Sequence, residues 1–325
     1  MFQRRGLLAA PFLLGAAPAA LAQSGAFPQR PVRVVIPWPP GQATDLAARI
    51  VMQRLSETMG QAFVAENRAG AGGMIGTDVA AKSPPDGYTL LAGSTGPIVT
   101  SPLVQRTPYD TTRDFTYLGI TGLSSYLLVV EPNFPARTAA EFVALVRANP
   151  GKYTFSSSGT GATAHVIAAW FNALAGLDVV HVPFAGSGPA LTAVAGGHVN
   201  FSVETLAGTG PLIRNGQLRA LGISLKDGSV LAPDVPPLAR LPGCENFDAG
   251  AWIGLMGPAG LPRPVIERID TEIGNAMRQQ EVRDRMAAAG LEPQHHSAAA
   301  MDQYVLRQQA AFRDAIQRAN IRIEG

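Results

Sequence analysis

The stretch VRVVIP (Val32 to Pro37) followed by TDLAARIVMQRLSETMG (Thr44 to Gly60) constrains this chain more than any other feature: a short apolar, β-branched run gives way to an amphipathic helix ended by glycine. The pairing recurs along the sequence, with AFVAENR and MIGTDVAAKS, YTLLAGS, SYLLVV and AAEFVALVRANPG, YTFSSS and ATAHVIAAWFNALAG, LDVVHVPF and GPALTAVAGG, VNFSVE and GPLIRNGQ, and LRALGIS. Strands and helices taking turns through short loops predict an α/β protein with parallel-rich sheets covered by helices. More than eight strand candidates, with irregular connections at Gly122 to Val130 and Leu218 to Gly254, predict two domains rather than one. The last 65 residues read as almost wholly helical and are expected to return to the first domain. The predicted division is residues 27–125 with 223–325 as domain 1 and 126–222 as domain 2, with a ligand crevice at the strand ends between them.

Four loops fall where strands end and helices begin. PWPPGQATD carries Trp38, Pro40, Gly41, Gln42, Ala43, Thr44 and Asp45; GSTGP carries Ser94 and Thr95. SSSGTGATAH supplies Ser157, Ser158, Gly159, Thr160, Gly161, Thr163 and His165, and VPFAGSGPAL supplies Phe184, Ala185, Gly186 and Ser187. Hydroxyls and mobile backbone at helix N-termini suit an anion, because the first amides of a helix lack intrahelical partners. The loops hold no Lys or Arg, so capture by dipoles and hydroxyls is expected instead of a salt bridge.

Other readings of these residues fare worse. Gly159-x-Gly161-x-x-Ala164 approaches a dinucleotide fingerprint, but the acid at the right spacing, Asp178, precedes its strand instead of following it. Ser156 to Ser158 beside His165 evoke a hydrolase, yet no Gly-x-Ser-x-Gly is present. His181, His198, His295 and His296 lack metal-ligand spacing, and the adjacent pair reads as a solvated loop. The single cysteine, Cys244, excludes an intramolecular disulfide. No catalytic group, cofactor or metal is therefore expected.

The opening MFQRRGLLAAPFLLGAAPAALAQS reads as an export signal, residues 1–22, with Ala20-Leu21-Ala22 as the cleavage site and Arg4-Arg5 compatible with either the Sec or the twin-arginine route. That segment holds two of the 26 basic residues and none of the 24 acids, so the remainder carries 24 of each. Such a balance offers no basic patch for nucleic acid.

RPVRVVIPWPPGQATDLAARI, VAENRAGAGGMIGTDVAAKSPPDGYTLL, FSSSGTGATAH, VVHVPFAGSGPAL, AGGHVNF and GLMGPAGLPRPVIERI, in that order, resemble the extracytoplasmic receptors of tripartite tricarboxylate transporters. The resemblance covers about Pro28 to the end. It implies a two-domain periplasmic-binding-protein fold (type II-like) that closes on a small organic carboxylate, a periplasmic location, a membrane permease as partner and no enzymatic activity; a monomer is expected. A sensor feeding a two-component system would use the same pocket. Three positions depart from the family's usual pattern: Trp38 replaces a Phe, Gln42 replaces the second of two paired glycines, and Glu204 replaces an Asp after the GGHVNF stretch. Glu204 next to a carboxylate is a conflict of like charges. It is resolved by protonation, by an intervening water or by an amino or hydroxyl donor on the ligand, unless Glu204 only caps the helix that begins near Thr205.

Overall fold

The computed structural model describes residues 27–318, so the expected leader and residues 319–325 lie outside the described part. Ten strands form one curled mixed sheet whose main path runs β2 (Phe63–Asn67), β1 (Val32–Ile36), β3 (Thr89–Ser94), β9 (Gly250–Pro258), β4 (Phe115–Val130), β7 (Phe201–Thr205), β5 (Thr154–Ser157), β6 (Val180–Pro183). β8 (Arg219–Ile223) and β10 (Glu292–Ser297) also pair with β4. The helices are α1 (Ala43–Met59), α2 (Met74–Ala81), α3 (Ser101–Val104), α4 (Ala139–Arg147), α5 (Thr163–Leu174), α6 (Ser187–Ala195), α7 (Leu206–Arg214), α8 (Arg263–Met277), α9 (Gln280–Ala288) and α10 (Ala298–Arg318).

The expectation of parallel-rich sheets holds only at the two ends. β1 pairs in parallel with β2 and β3, and β5 with β6 and β7, but every pairing of β4 and β9 is antiparallel. The reason is topological: strands that carry the chain between the two ends of the sheet run against the strands they join. Gly122 to Val130, read as an irregular connection, belongs to the 16-residue β4, whose register slips between Tyr117 and Gly119 and again between Ile120 and Gly122. β4 changes partners at one point. Ser125 faces Gly250 of β9, and Tyr126 faces Thr205 of β7.

The C-terminal region contains a strand that the helical reading missed. β10 is the polar stretch EPQHHS, held by antiparallel pairing to β4 with no apolar alternation of its own. His295 and His296 therefore lie in a strand and not in a solvated loop; the His296 ring packs 4.9 Å from that of Tyr304.

Burial follows the sheet. One apolar cluster joins Val32, Val34 and Ile36 of β1 to Ala47, Val51 and Leu55 of α1 and Ile269 and Ile273 of α8. A second runs from Val35 and Leu91 through Tyr126 and Leu128 to Phe155 and Phe201, so the two ends of the sheet share a core. Cys244 is buried beside it.

Candidate cleft site

The end of the β1 half of the sheet and the end of the β5 half meet around a small enclosed cavity of about 20 Å³. Trp38, Gln42, Ala43, Thr44 and Ser94 line it from one side, and Ser158, Thr163, Glu204 and Thr205 from the other. Ser124, Tyr126, Ala251 and Ile253 of the crossing strands close its floor. Outside it a hollow of about 270 Å³ is bounded by Trp38, Pro39, residues 69–74, Gln105, Ser158 to Thr160 and Pro183 to Gly186.

Local sequence explains how each side chain arrives there. Pro39, Pro40 and Gly41 stop β1 and start α1, whose N-cap Gln42 makes no side-chain capping bond. Ala162 likewise leaves α5 without a side-chain cap. The first turns of these helices, at Thr44 and Thr163, thus border the cavity with amides that no capping side chain occupies. The Trp38 Nε1 donates to Ser94 Oγ at 3.0 Å, which pins the indole across the end of β3. Thr95 does not line the cavity: its Oγ1 accepts the Trp252 amide at 2.9 Å and ties β3 to β9.

Two acids were expected here, and they differ. Asp45 is 2% exposed and stands outside the cavity lining. Its Oδ2 accepts the Gly41 amide at 2.9 Å, and its Oδ1 accepts Arg49 Nε and Asn67 Nδ2, each at 2.9 Å. Asn67 Nδ2 also donates to the Trp38 carbonyl, so Asp45 and Asn67 together hold the loop that carries Trp38 and Gln42. Glu204 is 1% exposed and does line the cavity. Its Oε2 accepts Ser187 Oγ at 2.8 Å and the Thr205 amide at 3.0 Å. Its Oε1 has no hydrogen-bond partner of good geometry, although the Ser158 hydroxyl and amide contribute to its surroundings. Burial pushes the Glu204 carboxyl above its usual range, opposed first by the Ser187 hydroxyl. Burial, and then the Glu204 carboxylate, hold the Tyr126 phenol well above its ordinary value.

His165 and Ser157, though in the predicted loop, face inward. The His165 ring stacks on His181 at 3.6 Å and its Nδ1 accepts the Gly161 amide at 3.2 Å. Burial lowers His165 to about 3, with His181 adding to the effect, and lowers His181 to about 4. Both are neutral at physiological pH. Ser157 Oγ lies 2.7 Å from His181 Nε2, a nucleophile-and-base distance, but Ser157 is fully buried and lines neither the cavity nor the outer hollow. The pair braces β5 against β6 and offers a substrate no approach.

The two sides grip each other directly. Gly161 O accepts Thr100 Oγ1 at 3.0 Å and Ser101 Oγ at 3.2 Å, and Thr160 O accepts Gln105 Nε2 at 3.3 Å. Gly72 (φ +63°) sits so near this loop that a Cβ there would meet Thr160 O at 2.9 Å. Gly186 (φ +124°) plays the same part opposite Pro39, whose Cγ a Cβ would meet at 2.9 Å. Phe184, Ala185, Gly159 and Thr160 border the outer hollow; Pro40 and Gly41 are exposed, and Gly161 and Ser187 act through the contacts above.

Sequence reasoning missed Ser124, Tyr126, Ala251 and Ile253, which only the pairing of β4 with β9 brings together, and it missed Gln105 and the Gly70 to Met74 turn as walls. The SYLLVV strand held a usable signal, since Tyr126 is a lone aromatic where the strand emerges from a run of small polar residues.

Residues 47–321 match the tripartite tricarboxylate transporter family receptor. The chain belongs to that receptor family. A family relative encoded in the tcbD–tcbE intergenic region of a Pseudomonas species is 37% identical over 82% of this chain and 79% of its own length. Among solved receptors, a Rhodopseudomonas palustris protein with adipate superposes with a TM-score of 0.87 at 29% identity, covering 91% of this chain and 99% of the other. MatC from Rhodopseudomonas palustris, with bound malate, gives 0.84 at 30% identity over 89% and 100%. The architecture of this family receptor is thus that of a periplasmic binding protein, and among its described residues no helix is long and apolar enough to cross a membrane.

Proposed function

We propose that the chain is a periplasmic receptor that closes its cleft on a small organic carboxylate and delivers it to the membrane permease of a tripartite transporter. The observation that carries the reading is the enclosed cavity itself. Its walls combine the uncapped first turns of α1 and α5 with the hydroxyls of Ser94, Ser158 and Thr163, and no Lys, Arg or His is among its lining residues. Helix N-termini and neutral donors favour a carboxylate without neutralising it, which suits reversible loading. That relatives were solved with adipate and with malate supports the ligand class.

The division of labour follows the partner change in β4 between Ser125 and Tyr126. Residues 27–125 with 223–325 act as one lobe and 126–222 as the other. A cavity of about 20 Å³ holds little more than one water-sized particle, so a carboxylate enters only when the lobes part and is retained when they meet. Export through a leader ending at Ala22 accords with this role, and intact mass of the exported protein checks it.

Calorimetric titration with a panel of two- to six-carbon mono- and dicarboxylates tests the reading. At least one acid is expected to bind, with little dependence on ionic strength and with a smaller radius of gyration by X-ray scattering at saturation. Absence of binding by every acid at millimolar concentration would overturn it.

A further inference from the structure

Two fully buried side-chain acceptors in the wall of this cavity lack a hydrogen bond of good geometry, and those two decide what the ligand must bring. The α7 cap is Thr205, whose hydroxyl accepts the Gly208 amide, so Glu204 is not the helix cap; it uses Oε2 to receive the Thr205 amide and the Ser187 hydroxyl. The other, Oε1, is buried in the wall with no hydrogen bond of good geometry, the Ser158 hydroxyl and amide lying near it without closing one. From the opposite wall Gln42 presents a second such atom, Oε1, also buried and without a partner. A rotated Gln42 amide would exchange its acceptor for a donor, but a carboxylate has no such freedom. Glu204 and Gln42, like Trp38, are positions where these loops depart from the pattern of the family they resemble, and these departures meet in one cavity of about 20 Å³.

An acceptor sealed from water is costly unless something donates to it, and a charged one more so. A plain dicarboxylate offers no donor when ionised. It would place further negative charge beside Glu204 in a chamber with no Lys, Arg or His in its walls. An ammonium group reverses both defects: it has three donors to share between Glu204 and Gln42, and its charge offsets the carboxylate it approaches. The other end of such a ligand, its own carboxylate, remains suited to the first turns of α1 and α5. We propose that the receptor selects an aminocarboxylate, a zwitterion whose ammonium group is held by Glu204 Oε1 on one lobe and Gln42 Oε1 on the other. Glu204 is then the residue that sets specificity, and Gln42 couples recognition to closure because it lies across the cleft.

The inference rests on the receptor reading above and narrows its ligand. Matched pairs that differ only by the amino group test it: aspartate and succinate, glutamate and glutarate, β-alanine and propionate, titrated calorimetrically into the wild-type chain, Glu204→Gln and Gln42→Gly. In wild type at least one amino acid should bind ten-fold or more tightly than its deaminated partner. Glu204→Gln, which retains an oxygen for the Thr205 amide and the Ser187 hydroxyl and abolishes the charge, should bring that ratio close to one while binding succinate or glutarate at least as well as wild type. Gln42→Gly should weaken the amino acid several-fold and leave its partner almost unaffected; it keeps the test open if Glu204→Gln folds poorly. A wild type that binds the plain acid as tightly as its aminated partner overturns the proposal and would fit a protonated Glu204 donating to a ligand carboxylate; a ratio that survives Glu204→Gln overturns it too, since the ammonium would then be held elsewhere. If neither member of any pair binds while a longer plain carboxylate does, the receptor reading stands and the aminocarboxylate proposal falls. If no carboxylate binds at all, both fall.

Discussion

Asp45 and Glu204 are both sealed from solvent beside the same cleft, one in each half of the sheet, and they are treated in opposite ways. Each oxygen of Asp45 is engaged, by the Gly41 amide on one side and by Arg49 and Asn67 on the other. Glu204 has one oxygen engaged by neutral donors, one with no hydrogen bond of good geometry and no cation among the cavity's walls. A saturated buried acid has spent its capacity on architecture, whereas an unsaturated one keeps an interaction in reserve. The difference separates the residues that shape the cleft from those that read its contents.

The largest effect that can break this contrast is Asp45→Ala. It removes at once the three bonds that Asp45 accepts, from the Gly41 amide, Asn67 and Arg49, and an expected loss of about 3 kcal/mol in denaturant unfolding follows at about 1 kcal/mol for each bond. Wild-type stability together with weakened ligand binding would move Asp45 into the same class as Glu204.

Acid should come next. His165 and His181 are depressed to about 3 and about 4 from an ordinary value near 6.5, so the unfolded chain binds more protons than the folded one throughout that interval. Stability is therefore fully present above about pH 6.5 and is lost as pH falls toward 4, by about 2 kcal/mol once the partial exposure of His181 is discounted. Melting at pH 7, 5.5 and 4.5 reads it, with His165→Phe expected to flatten the slope. An unchanged slope in that variant would place the acid sensitivity elsewhere.

Thr100→Val and Gln105→Ala each remove one bond to the Gly159 to Gly161 loop, and each should cost about 1 kcal/mol of closure, seen as a roughly five-fold weaker Kd with global stability kept. A Kd equal to wild type in both would show that closure does not depend on these bonds.

The smallest shift in stability belongs to Glu204→Gln. Because burial raises the Glu204 carboxyl, its ionised form costs the fold stability as pH rises past its unfolded value, the reverse of the histidine pair. At pH 7 the amide should leave stability unchanged or raise it by less than about 1 kcal/mol. A loss comparable to that of Asp45→Ala would erase the distinction.

The loops at residues 37–45, 93–97, 156–165 and 182–188 were legible because glycine and hydroxyl residues between an apolar run and an amphipathic one mark strand ends, and strand ends are where α/β clefts lie. Direction within a loop was not legible. Ser157 and His165 share a loop with Ser158 and Thr163, yet the first two bond inward and the last two line the cavity. Nor did local pattern reveal β10 or the floor residues Ser124 and Ala251, since both depend on antiparallel partners more than a hundred residues away. Glu204 was visible as a charge at the end of an apolar strand; which of its oxygens is engaged needed the third dimension.

β9 lies between β3 and β4, pairing Leu91 with Met256 on one side and Ser124 with Ala251 on the other. Synthesis therefore reaches the middle of the sheet late: β1, β2 and β3 have left the ribosome long before the strand that joins them to β4 exists. Until residues 250–258 arrive, the inner edges of β3 and β4 remain without that neighbour, and bringing them together means closing a loop of some 160 residues for the first ladder. Such an order of assembly lets the β5 half collect all its strands, β4 to β8, before the β1 half can be joined to it, and leaves the long-range ladders of β9 as a late and slow step.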